Sequence, residues 1–206
     1  MFDGAGKLGF AAKAMADRRF SHAIAEGDGI SVIAAVEDAD AAREAESQRA
    51  EALVVRGDPS VVREATSLPI LWRTDGHFGE AAGADAVMLA FDEDDDDDFD
   101  EQHRRVLELG LDFAVEVRDE EALEAVLDRF DPEIFLLAPT ETDGDDTPLD
   151  TVLDLLAAVP AGKLAIADLP VTTPHEVQEL ERAGCDAVIV RTRDLAPLVG
   201  DSPPEV

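Results

Sequence analysis

Short, wholly apolar runs alternate along the chain with longer segments whose apolar residues recur every three or four positions. The runs are SVIAAVE (31–37), ALVVR (52–56), PILWR (69–73), DAVMLAF (85–91), DFAVEV (112–117), EIFLLA (133–138), KLAIAD (163–168) and DAVIVR (186–191). A strand that is apolar on both faces suits a parallel sheet covered on both sides. The segments between them, such as DEEALEAVLDRF (119–130) and PHEVQELERAG (174–184), carry the i, i+3, i+4, i+7 spacing of amphipathic helices. Eight such repeats predict an α/β fold, a single (β/α)8 TIM barrel. A doubly wound open sheet is the alternative, but it rarely needs so many units of so even a rhythm. An amphipathic helix over 7–26 is predicted to cap the barrel floor, with Arg18, Arg19 and His22 on a solvated face. One domain over 1–206 follows, with a helical lead-in over 1–29 and the barrel over 30–200.

Two stretches interrupt the rhythm. FDEDDDDDFDEQ after the fourth strand predicts an acidic loop over 92–98, and TETDGDDTPLD after the sixth is polar and rich in turn residues. Both are placed at the C-terminal face, where barrel active sites are built. The acidic run lacks the glycine and spaced ligands of a dedicated cation loop, so a solvated loop is expected, with a basic protein partner as the alternative use.

Charge narrows the function classes. The 206 residues hold 48 acids against 17 Lys and Arg, a net charge of −31, and the lysines are Lys7, Lys13 and Lys163. Such a surface repels nucleic acid and anionic lipid. Scarce lysine with abundant aspartate fits a halophilic cytoplasm, where concentrated salt screens the self-repulsion. An acidic DNA mimic fits less well, because the acids are spread along the whole chain. Cys185 is the sole cysteine, which excludes an internal disulfide, and it lies between a helix-ending glycine and an apolar strand, where burial is expected. No stretch has the apolar length of a membrane helix, and the four histidines, His22, His77, His103 and His175, have no metal-site spacing. No metal or cofactor is expected.

Several stretches resemble indole-3-glycerol phosphate synthase, the barrel enzyme of tryptophan biosynthesis: RRFSHAIAEGDGISVIAAVED, AAGADAVMLAF, LGLDFAVEVRDEEALEAVL and TTPHEVQELERAGCDAVIV. The resemblance implies a ring closure with decarboxylation and dehydration, assigned to two lysines and carboxylates around a phosphate-anchored substrate. The strand ends depart from that pattern. Ala35 and Glu37 stand where the family has a glutamate and a lysine, and the Ser-Pro-Ser segment that follows in the family is missing. Arg73 replaces the third-strand lysine, and arginine holds its proton too tightly to donate it near neutral pH. Glu116 matches the fifth-strand glutamate. Ala138 and Thr140 replace an Asn and an Arg, Asp168-Leu169-Pro170 replace Glu-Ser-Gly, and Arg191-Thr192 replace the Gly-Ser pair of the phosphate site. The βα loops are also shortened, which removes walls that would exclude water.

The strand tips thus carry Glu37, Arg56, Arg73, Glu116, Asp168 and Arg191, with Arg118 and Thr192 beside them. Equal numbers of acids and arginines favour a self-satisfied ion network that plugs the mouth. The other arrangement is a site in which Arg56, Arg73 and Arg191 bind a small anion. The expected function is a synthase-like barrel without synthase activity, kept for a binding, regulatory or assembly role. The alternative is a lyase or isomerase acting on a small anionic metabolite, with Glu116 as base, Arg73 as electrostatic stabiliser and Arg191 as anion clamp.

Overall fold

In the computed structural model the described residues are 18–26, 29–74, 83–91, 96–139 and 147–198; Thr140 and His77 lie outside them, as do residues 92–95 of the acidic run. Eight parallel strands close into a barrel in chain order, β1 through β8 and back to β1. They are β1 (Ser31–Ala35), β2 (Ala52–Val55), β3 (Ile70–Arg73), β4 (Ala86–Ala90), β5 (Asp112–Val117), β6 (Ile134–Leu137), β7 (Leu164–Ala167) and β8 (Ala187–Val190). Each matches a predicted run, trimmed in most cases by one or two residues at its ends. Seven helices are described: α1 (Arg19–Ala25), α2 (Ala39–Ser47), α3 (Pro59–Arg63), α4 (Asp96–Leu109), α5 (Glu120–Arg129), α6 (Pro148–Ala158) and α7 (Pro174–Ala183).

Five of the loops that lead from strand to helix end on a residue that caps the helix. Asp38, Asp58, Asp119, Thr147 and Thr173 each accept a backbone N–H of the first turn, satisfying a donor the helix itself leaves unpaired. Thr147 with Asp150 and Thr173 with Glu176 form full capping boxes. At the other end of α7, Gly184 takes the left-handed conformation (φ 92°), and the Cys185 N–H returns to the Leu180 carbonyl.

Alternation along each strand divides the core in two. Ile33, Val54, Leu71, Met88, Ala114, Leu136, Ile166 and Ile189 belong to the cluster inside the barrel, while their strand neighbours pack outward against the helices. Two residues further on, the same inward parity reaches Ala35, Arg56, Arg73, Ala90, Glu116, Ala138, Asp168 and Arg191. The barrel's top layer is therefore where apolar filling gives way to charge.

Two expectations need correction. Arg18 and Arg19 do not form a merely solvated face: Arg18 pairs with Glu133, and Arg19 reaches Asp85 at 3.2 Å and the Ser67 carbonyl at 2.7 Å. Phe20 and Ile24 are buried, and the Ser21 N–H donates to Asp112 at 2.9 Å, so α1 is bolted to the floor by charge as well as by apolar contact. Asp96, Asp97 and Asp98, expected in a loop, open α4. Among the described residues no helix is long and apolar enough to cross a membrane.

Candidate functional site

Five of the predicted rim residues form one chain of ion pairs across the mouth. Arg73, the last residue of β3, donates from Nη2 to Glu116 Oε2 at 2.7 Å and from Nη1 to Asp168 Oδ2 at 2.8 Å. The other oxygen of Glu116 accepts from Arg118 Nε at 3.1 Å. The other oxygen of Asp168 lies 2.5 Å from Arg191 Nη2, a charge contact without hydrogen-bond alignment. The order is Arg118, Glu116, Arg73, Asp168, Arg191.

Burial is graded along this chain. The Glu116 and Asp168 side chains are 2% and 3% exposed, Arg73 20%, and the terminal Arg118 and Arg191 nearly half. A buried carboxylate is tolerable only when its charge is matched, and the planar fork of Arg73 matches two at once. Both oxygens of Glu116 are occupied by guanidinium groups. Three arginines against two acids leave the network with one net positive charge.

Glu37 and Arg56 stand outside it. Among the described residues neither makes an ion pair, and both are exposed. They line a cleft of about 1030 Å³ over the tips of β1, β2 and β8, shared with Ala35, Arg73, Arg191 and Thr192. The cleft exists because β1 places Ala35 at the inward position of the top layer, where a methyl group leaves the space a longer side chain would fill. Thr192 uses its hydroxyl to accept the Asp194 N–H. The mouth is therefore plugged on the β3–β5–β7 side and open on the β8–β1–β2 side.

Arg193 is a cleft residue that the sequence reading did not single out. The segment that carries it is fastened to α2: Gln48 donates to the Arg193 carbonyl at 2.8 Å and accepts the Leu195 N–H at 2.6 Å, and Leu195 is buried. Its signal was parity, since Arg191 and Arg193 are two residues apart on the continuation of β8. No group of three or more potential metal ligands occurs among the described residues. His103 stacks on Phe113 at 4.4 Å, and burial lowers its pKa. Cys185 is buried, donates to the Ala165 and Ala187 carbonyls, and has its pKa pushed up to about 12, so it is no nucleophile.

No family model matches the chain. Curated relatives do. An indole-3-glycerol phosphate synthase from Geobacillus sp. is 30% identical over 141 residues, covering 66% of this chain and 55% of that protein. The one from Lachnospira eligens is 29% identical over 142 residues, covering 64% and 53%. The chain spans about half the length of the curated relatives it matches. Among solved structures, N-acetylmannosamine-6-phosphate 2-epimerase from Clostridium perfringens superposes with a TM-score of 0.64 at 13% identity, over 81% of this chain and 87% of that one. Thiamine phosphate pyrophosphorylase from Pyrococcus furiosus gives 0.62 at 13% identity, over 82% and 89%. At those identities the structural likeness speaks for the fold alone. The chain is thus a (β/α)8 barrel similar in sequence to indole-3-glycerol phosphate synthases, with an ion network across half of its mouth.

Proposed function

We propose that this barrel lacks indole-3-glycerol phosphate synthase activity and serves a binding or regulatory role in a concentrated-salt cytoplasm. The observation that carries the reading is Arg73 locked between Glu116 and Asp168. A synthase needs a group there that releases a proton, and a guanidinium bound to two buried carboxylates does the opposite. Glu116, whose two oxygens both accept from guanidinium groups, has neither of them free to take a proton from a substrate. Arg191 supports the same reading, because its side chain stands where the resemblance implies a glycine that leaves room for a phosphate. The acid excess supports the high-salt setting.

The test is fluorescence detection of indole-glycerol phosphate formed from the anthranilate-derived ribulose phosphate, in molar potassium chloride. No turnover above background is expected. Turnover that disappears in Glu116→Gln would refute the proposal. A lyase or isomerase acting on a small anion is the second reading, favoured by the open cleft beside Arg56 and Arg191. On that reading the chemistry draws on Glu37, an exposed acid with no ion pair among the described residues, rather than on Glu116.

A further inference from the structure

The charges of the cleft divide into committed and uncommitted ones. Arg73 and Arg191 are held by the network. Asp38 caps α2, Asp40 pairs with Arg43, and Glu44 accepts from Gln48. Glu37, Arg56 and the Arg193 side chain remain, with no hydrogen bond or ion pair among the described residues.

These three line one and the same cleft. Ala35 of β1 pairs with Val54 of β2, and the Val36 N–H donates to the Val54 carbonyl at 3.0 Å, so two steps further Glu37 comes beside Arg56. On the other side Ala34 pairs with Val190 of β8, and the chain that continues from β8 brings Arg193 to the wall of the same cleft. Glu37 shares the cleft with both arginines and pairs with neither.

We propose that the cleft binds a small zwitterion, a free amino acid or similar amino-carboxylate, with its carboxylate on Arg56 and Arg193 and its ammonium on Glu37. The proposal builds on the binding role argued above and names the ligand class. A dianion such as phosphate or a dicarboxylate would satisfy the arginines and be repelled by Glu37. A metal cation would satisfy Glu37 and be repelled by the arginines. A zwitterion satisfies all three, and planar two-pronged pairing suits a carboxylate to arginine. The volume is ample, at the upper end of small-molecule pockets. Gln48, by fastening the Arg193 segment to α2, holds one wall of the site before the ligand arrives.

The experiment is isothermal calorimetry and thermal-shift measurement on the full chain with each proteinogenic L-amino acid at millimolar concentration, with succinate and inorganic phosphate as comparison probes. At least one amino acid is expected to bind and raise the melting temperature. Glu37→Gln, Arg56→Gln and Arg193→Gln should each weaken it by about tenfold or more. Arg105→Gln, on the far surface of α4, should leave binding unchanged. Saturation with no response to any amino acid overturns the proposal. So does tighter binding of succinate or phosphate, especially if Glu37→Gln improves it, since that describes an anion site. Either result leaves the absence of synthase activity standing, whereas synthase turnover would overturn that reading and not this one.

Discussion

Replacing Arg73 with methionine asks whether the mouth network holds the barrel together. Arg73 gives two charge-assisted hydrogen bonds, at 2.7 and 2.8 Å, to carboxylates that are almost wholly buried. Removing one partner of a buried ion pair usually costs about 3–5 kcal/mol, because the remaining charge has no solvent to turn to. Here Glu116 keeps Arg118 and Asp168 keeps Arg191, and the remaining four charges sum to zero. Those two arginines are nearly half exposed, so their compensation is partial. The expected loss is therefore about 3 kcal/mol, at the low end of that range, or a fall in Tm of about 6–12 °C for a chain of this size. Urea unfolding followed by far-UV circular dichroism reads it, at low and at molar salt. The deficit should be similar at both, since buried pairs are little screened. Converting Arg73, Glu116 and Asp168 together to Met, Leu and Leu should recover most of the loss. A single substitution costing less than about 0.5 kcal/mol, the scale of an ordinary surface change, would refute the reasoning.

Other outcomes follow from local geometry. Cys185, buried and with its thiol pushed up to about 12, should resist iodoacetamide in the native chain and react only after unfolding; prompt stoichiometric labelling of the folded protein would contradict its placement. Burial raises the pKa of Asp112 above its unfolded value, so the folded chain holds that proton more tightly and the associated stability is lost as pH rises through the folded value. Compared with Asp112→Asn, the parent should therefore lose ground in urea unfolding between acid and neutral pH, and a parent that gains ground would reverse the sign. Arg49, just past the end of α2, has a φ of 69°, a conformation that strains a side chain, and Arg49→Gly should stabilise by about 1 kcal/mol; no gain in the urea midpoint would count against it.

Much of the fold was legible because parallel strands and amphipathic helices write different periods into the chain. The strands trimmed only at their tips, and helix starts such as Asp119 and Thr173 coincide with residues whose side chains can cap. The acidic run misled because its apolar spacing begins at Phe99, whereas α4 begins three residues earlier, on aspartates. The floor contacts of Arg19 were illegible for a different reason: Asp85 and Ser67 lie 66 and 48 residues away in sequence. At the mouth, the inward-facing strand-end positions that the resemblance implies placed Arg73, Glu116, Asp168 and Arg191 on one rim. Which acid meets which arginine depends on distances across the barrel that no local pattern encodes, and so did the separation of Glu37 and Arg56 from the network.

The rim residues are coupled, and the coupling constrains how such a mouth can change. Asp168 is almost wholly buried and would be untenable alone; it is matched by Arg73 from β3 and Arg191 from β8. Arg73 in turn is matched by Asp168 and by Glu116. A lysine at Arg73 would supply one compact ammonium where a forked group now spans two carboxylates, so it would weaken the network without freeing Glu116, whose second oxygen still binds Arg118. A glycine at Arg191 would open space and leave Asp168 with half its compensation. Neither single change is free of cost, because each removes a charge that another strand depends on. The apolar layer beneath, from Ile33 to Ile189, is untouched by either. The fold therefore tolerates a rewritten mouth, while the mouth itself can be rewritten only in matched pairs of charges.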